Sequence, residues 1–267
     1  RQMCIRDRQK SGGLSINLGF PTRIFSRNLN LHTRLPLLYR ITAGKATVFL
    51  ALLGFLFYTE ERMKTISRSA YMATYMIPCL LGLEKLVGDE VKRLGLKNVR
   101  VENGRIFCDG TPDDCARLNI NLRCGARVLL VLGEFPARSF EELFQGVKAI
   151  AWEDYIPRDG AFPVKGYSIT SQLHSAPACQ SIVKKAMVER LKSRYGLEQF
   201  PETGVKYQVR FSIFKDQVVI GLDGSGEGLY KRGYRAVGVE APLRETLAAA
   251  MVLLSRYRGR DPFCDPF

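Results

Sequence analysis

No two cysteines of this chain share C-x-x-C spacing, and its 267 residues contain only two histidines, His32 and His174. A structural zinc site needs four closely spaced Cys or His ligands. Cys108, Cys115 and Cys124 lie too far apart for that, so no metal is expected. The seven cysteines, an odd number, read instead as reduced thiols of a cytoplasmic protein used as small apolar side chains. Long apolar runs are also missing. The longest, residues 46–58, would span roughly 20 Å as a helix against a bilayer core of roughly 30 Å. A basic stretch precedes it, as in a signal peptide, but no clean cleavage site follows. Residues 1–71 therefore read as a non-native or disordered leader, with Met72 as the start of the folded protein and no membrane partner. Residues 72–225 contain no repeat and no low-complexity tract.

Hydrophobic residues make up 46% of the chain, enough for a substantial core, and the formal net charge is +14. That charge is uneven. Residues 1–71 carry 12 Lys and Arg against 3 Asp and Glu, a net of +9, which leaves +5 for the remainder. The remainder permits nucleic-acid binding without demanding it.

From Met72 the pattern predicts an α+β fold. Residues 75–80 read as a strand. Leu83, Leu86, Val87, Val91 and Leu94 share one helical face, closed by Gly95. Asn103-Gly104 between two alternating runs signals a hairpin. Thr111-Pro112-Asp113-Asp114 opens a second helix with acidic residues at its positive end, and 127–132 returns as a strand. This strand-helix-strand-strand-helix-strand order is the ferredoxin-like pattern. A second α/β unit follows. Ser139 and Glu142 have capping-box spacing, and Phe140, Leu143, Phe144 and Val147 form a stripe. Trp152 reads as core, and 162–170 as a strand. The helix 177–195 turns Ile182, Val183, Ala186, Met187 and Leu191 inward. Strands 207–214 and 218–223 flank Lys215-Asp216.

The last fifty residues organise the rest. Strand 218–222 enters a glycine-rich joint that lets the chain change direction. A basic, aromatic knot follows. Pro242 then opens a helix, with Leu243, Leu247, Met251 and Leu254 predicted as one buried stripe and Gly259 as its stop.

Gly228-Leu229-Tyr230-Lys231-Arg232-Gly233-Tyr234-Arg235, followed by Ala241-Pro242-Leu243-Arg244-Glu245-Thr246-Leu247-Ala248-Ala249-Ala250, resembles the joint of THUMP-containing class I RNA methyltransferases. The nearest resemblance is to bacterial 23S rRNA guanine-N2 methyltransferases. It covers 72–267 and implies four segments: the leader 1–71; a ferredoxin-like plus THUMP RNA-binding module at 72–225, with THUMP at about 114–225; a linker at 226–241; and, at 242–267, the first helix and strand of a truncated Rossmann-like methyltransferase domain.

The resemblance implies methyl transfer from S-adenosylmethionine to a guanine of RNA, with 23S rRNA as partner. Arg244, Glu245 and Thr246, together with Asp265, Pro266 and Phe267, would flank the cofactor. Two features expected of the family are not in the sequence. They are the glycine loop after the cofactor strand and an Asn/Asp-Pro-Pro-Tyr/Phe loop. Asp261-Pro262-Phe263 and Asp265-Pro266-Phe267 each lack the second proline, so the chain alone is expected not to transfer methyl groups. Lys165, Gln172, His174, Ser175, Lys184, Lys185 and Arg190 would lie near RNA phosphates, which position RNA while base contacts specify it. Arg232 and Arg235 have two readings. They could stack on bases and pair with phosphates, or pin two domains together; the glycines around them favour the joint. Two other functions stay open: an RNA-delivery module of a tRNA-modifying protein, and a ferredoxin-like interaction module without nucleic acid.

Overall fold

The computed structural model describes residues 72–234, 242–260 and 262–264. The expected leader, Arg235, Asp265, Pro266 and Phe267 lie outside these residues. Seven strands form one sheet in the order β2-β3-β1-β4-β7-β6-β5. β1 is Ala73–Pro78, β2 Lys97–Glu102, β3 Arg105–Gly110 and β4 Leu129–Pro136. β5 is Val164–Ile169, β6 Val209–Phe214 and β7 Gln217–Asp223. The helices are α1 Glu84–Arg93, α2 Pro112–Asn121, α3 Phe140–Ala149, α4 Ala176–Tyr195 and α5 Glu245–Leu254. All pairings between named strands are antiparallel except β5 with β6.

The first four strands have the ferredoxin-like order, and local chemistry sets their boundaries. Gly104 takes a left-handed φ of 72° in the β2–β3 turn, which costs glycine no side-chain clash. Thr111 and Asp114 form a reciprocal capping box at the start of α2, satisfying two N–H groups the helix leaves unpaired. α1 and α2 lay Val87, Val91 and Leu118 against Tyr75, Ile77, Ile106 and Cys108, each at most 3% exposed. Burial pushes the Cys108 and Cys115 thiols up to about 12. Among the described residues no His, Cys, Asp and Glu group could hold a metal, and no helix is long and apolar enough to cross a membrane.

The second half covers the same sheet face with α3 and α4. Leu143, Val147, Cys179, Val183, Ala186, Met187 and Leu191 pack on Val209, Phe211, Val218 and Ile220. Trp152 is fully buried, and its indole N–H donates to the Val147 carbonyl at 2.8 Å. The opposite sheet face carries a small cluster, Met76, Phe107, Leu129 and Val219, that spans both halves.

Two predicted stripes are corrected. Phe140 is 43% exposed, and α3 is held by Leu143 and Val147. In α5, Leu243, Met251 and Leu254 are 45%, 56% and 63% exposed. Its buried side is Thr246 and Ala250, with Leu247, Ala249 and Leu253 partly buried against the ferredoxin-like core. The helix is apolar nearly all round, so its period was readable but not which side faces inward.

β5 can lie against β6 only because residue 166 lacks a side chain. A Cβ on Gly166 would overlap the Phe211 carbonyl and ring. Backbone cannot yield as a flexible side chain can, so Gly166→Ala is expected to destabilise the protein by about 1–3 kcal/mol. Thermal unfolding followed by Trp152 fluorescence reads this as a lowered Tm.

Candidate nucleic-acid interface

α4 is the longest described helix, and the chain around it fixes both ends. The Ser175 hydroxyl accepts from the Ala178 N–H at 3.4 Å, Pro177 sits in the first turn, and Gly196 ends the helix in a left-handed conformation. Inward residues recur at helical spacing, so the lysines and arginines occupy the remaining surface. They do not all face solvent freely.

Arg190 makes two hydrogen bonds to Glu153, at 3.0 and 2.6 Å, and Arg194 reaches the same carboxylate at 2.9 Å. The two-pronged guanidinium contact holds the Glu153 carboxyl below the usual carboxylate range and raises Arg190 in turn. Lys184 donates to Glu202 at 2.6 Å and to the Phe162 carbonyl at 3.1 Å, and lies over the Phe162 ring. These charges are committed within the protein. Lys185 and Lys192 are exposed and form no ion pair among the described residues. Lys185 keeps only a long approach to the Phe144 ring, 5.7 Å.

The turn before α4 forms a second region. Thr170 takes a left-handed φ of 52°, a costly conformation for a β-branched residue. Its neighbours are tied to the β6–β7 turn. The Gln172 N–H donates to Asp216 at 2.8 Å, and the Asp216 N–H donates to the Ser171 hydroxyl at 3.1 Å. Gln172 and His174 are exposed, and the His174 ring approaches the Gln172 carbonyl at 3.1 Å. Two basic residues that the sequence reading missed join this end. Arg138 lies 3.5 Å from Asp216, and Lys215 is the first residue of that hairpin turn. The parallel β5–β6 register brings Lys215 beside Thr170, the antiparallel β4–β7 pairing brings Arg138 to Asp216, and no local motif announces either.

Lys165 lies elsewhere. Val164 faces the helices, so Lys165 points to the opposite sheet face, away from α4. Arg232 is directed at backbone carbonyls of the joint and of the end of α2. Of the residues expected beside a cofactor, Arg244 is exposed with its guanidinium over the Tyr230 ring at 5.5 Å, Glu245 begins α5, and Thr246 is buried against the ferredoxin-like core.

Three family models match in order along the chain. These are the RlmL ferredoxin-like domain at 74–129, the THUMP domain at 137–223, and the RMKL-like methyltransferase domain at 232–267. The chain carries a THUMP domain between an RlmL-type ferredoxin-like domain and an RMKL-like methyltransferase segment. YpsC of Bacillus subtilis, a candidate RNA methyltransferase, is 46% identical over 189 residues, covering 70% of this chain and 49% of YpsC. Ribosomal RNA large subunit methyltransferase K/L of Psychromonas ingrahamii is 32% identical over 72% of this chain and 26% of its own length. The chain thus spans about half or less of these curated relatives.

Solved structures agree on the fold. A Listeria monocytogenes protein described as a predicted N6-adenine-specific DNA methylase superposes with a TM-score of 0.69 at 44% identity, covering 74% of this chain and 52% of that one. The methyltransferase candidate SMU.472, complexed with SAH, gives 0.65 at 42% identity, covering 72% and 51%. The names disagree on DNA or RNA as substrate. In this THUMP-containing chain, β4 bridges the first two family matches, with 130–136 lying between them.

The Glu153 clasp has a pH signature. Its folded pKa lies below the ordinary 4.5, so its stabilisation is complete above about that pH. It is lost as pH falls through the folded value. Glu153→Gln is expected to cost about 1–3 kcal/mol at pH 7, a difference that shrinks as pH falls below the ordinary carboxylate range and Glu153 takes up its proton. Urea unfolding along a falling pH series measures both.

Proposed function

We propose that this chain is the RNA-gripping front of an rRNA methyltransferase. In this reading α4 and the turn before it hold structured RNA, with 23S rRNA as the partner. The protein works in the cytoplasm and transfers a methyl group from S-adenosylmethionine to a guanine exocyclic nitrogen. The cofactor would lie beyond α5, flanked by Arg244 and Glu245. When bound, it supplies the electrophilic methyl group. This chain's own residues supply grip and orientation.

One observation carries the reading. The THUMP match falls on a lobe whose long helix shows solvent two lysines, Lys185 and Lys192, with no carboxylate partner among the described residues. Gln172, His174, Arg138 and Lys215 extend the polar surface at the helix entrance. The name of the K/L relative and the SAH complex of SMU.472 support the substrate class and the cofactor. Lys184 and Arg190 would then act indirectly, by holding the lobe in shape. Lys165, on the other sheet face, takes no part in this grip.

Lysines that meet phosphates release counterions, so binding weakens with salt. Lys185→Glu with Lys192→Glu is expected to weaken binding of a structured 23S rRNA fragment and to lower the slope of log K against log salt by roughly 1–2. Filter binding at several salt concentrations, with tRNA alongside, provides the measurement. Unchanged rRNA affinity removes this face from the site, and tighter binding of tRNA moves the function to tRNA delivery.

A further inference from the structure

Arg232 offers little of its guanidinium to RNA. Nε donates to the Leu229 carbonyl at 3.0 Å and Nη1 to the Ile120 carbonyl at 2.9 Å, while Nη2 donates to the Leu122 carbonyl. Ile120 and Leu122 lie at the C-terminal end of α2, whose last turn has no basic residue of its own. The last carbonyls of a helix lack intrahelical partners and carry its negative dipole end. A planar cation with forked donors therefore suits them.

The rest of the joint is fastened too. Leu229 is 8% exposed within the ferredoxin-like core, and its N–H donates to the Ala126 carbonyl at 3.0 Å. Arg127 donates to the Gly226 carbonyl at 2.7 Å. Beyond it, Ala250 of α5 is fully buried in that same core. The glycines of this stretch shape the path of the chain, and the arginines and Leu229 hold it in place.

We propose that Arg232 is a positioning residue: it locks the joint to the end of α2, so that α5 and what it carries stand at a fixed reach from RNA held by α4. The inference rests on the methyltransferase reading and adds to it a rigid coupling in place of a free hinge. Lysine cannot substitute, because one ammonium nitrogen cannot meet carbonyls of three residues with the geometry of a planar fork.

The test uses the full-length natural protein with Arg232→Ala and Arg232→Lys. RNA affinity is expected to stay within about twofold, because phosphate contacts lie elsewhere. Methylation kcat is expected to fall by about tenfold or more, since misplacing reacting groups by an ångström suffices for that. Amide exchange at Leu229 and in α5 is expected to rise by about tenfold, with α4 unchanged as the sign of an intact fold. Lysine should fail to rescue either readout. Weakened RNA binding with unchanged exchange would make Arg232 an RNA contact and overturn the proposal, as would faster exchange with normal kcat. If the wild-type protein methylates no RNA, the functional reading fails by itself, and the exchange experiment still decides whether Arg232 locks the joint.

Discussion

Strand β4 is shared by two lobes, and the rest of the molecule depends on that sharing. On one side it meets β1 through Tyr75 opposite Leu130 and Met76 opposite Leu129. On the other it runs beside β7 from Leu129 opposite Asp223 to Pro136 opposite Gln217. The first ladder is short, so side chains reinforce it. Leu129 packs with Met76 and Phe107 of one half and Val219 of the other. Burying such side chains is worth about 1.5–3 kcal/mol each. The Arg105 guanidinium, stacked near Phe107, reaches across to the Ser212 hydroxyl at 3.3 Å. A second bridge forms where β7 ends. Asn119 bonds the Gly224 carbonyl and the Ser225 hydroxyl, and Ser225 in turn accepts from the Val128 N–H.

This seam turns a ferredoxin-like unit and a THUMP unit into one platform. α4, the face proposed to grip RNA, is then held relative to the joint that follows β7. Asp223 marks that exit, its side chain fully buried between Arg127 and Arg210, each 2.7 Å away. Removing one partner from such a cluster leaves a buried charge uncompensated, which costs more than the intact cluster contributes. The chain then passes Leu229 and Arg232 before reaching α5. Under the proposed function, such stiffness would make reach a property of the fold.

Much of this was legible in the sequence, because the signals were local. Asn103-Gly104 marked the hairpin, Thr111 to Asp114 marked a helix start, and the spacing from Val183 to Leu191 marked the inward side of α4. What escaped was set by tertiary contact. The continuous sheet depends on β4 pairing at both edges, which no stretch of sequence states. The lysines and arginines of α4 looked alike in the sequence. Glu153 and Glu202 arrive from outside the helix and claim Arg190 and Lys184, leaving Lys185 and Lys192 to solvent. Lys165 lies close to α4 in sequence, but strand alternation sends it to the other face. Arg232 has two readings in the sequence, and its contacts with carbonyls at the end of α2 are tertiary facts that no local motif states.

The central claim is that β4 makes the two lobes one cooperative body. Urea unfolding with two site-specific probes tests it most directly. Trp152, the only tryptophan, reports the THUMP lobe by fluorescence. Alkylation of Cys108, fully buried in β3, reports the ferredoxin-like lobe. Two-state behaviour requires the probes to change together. The account predicts one shared midpoint; two separated midpoints, with either lobe intact after the other has unfolded, would contradict it.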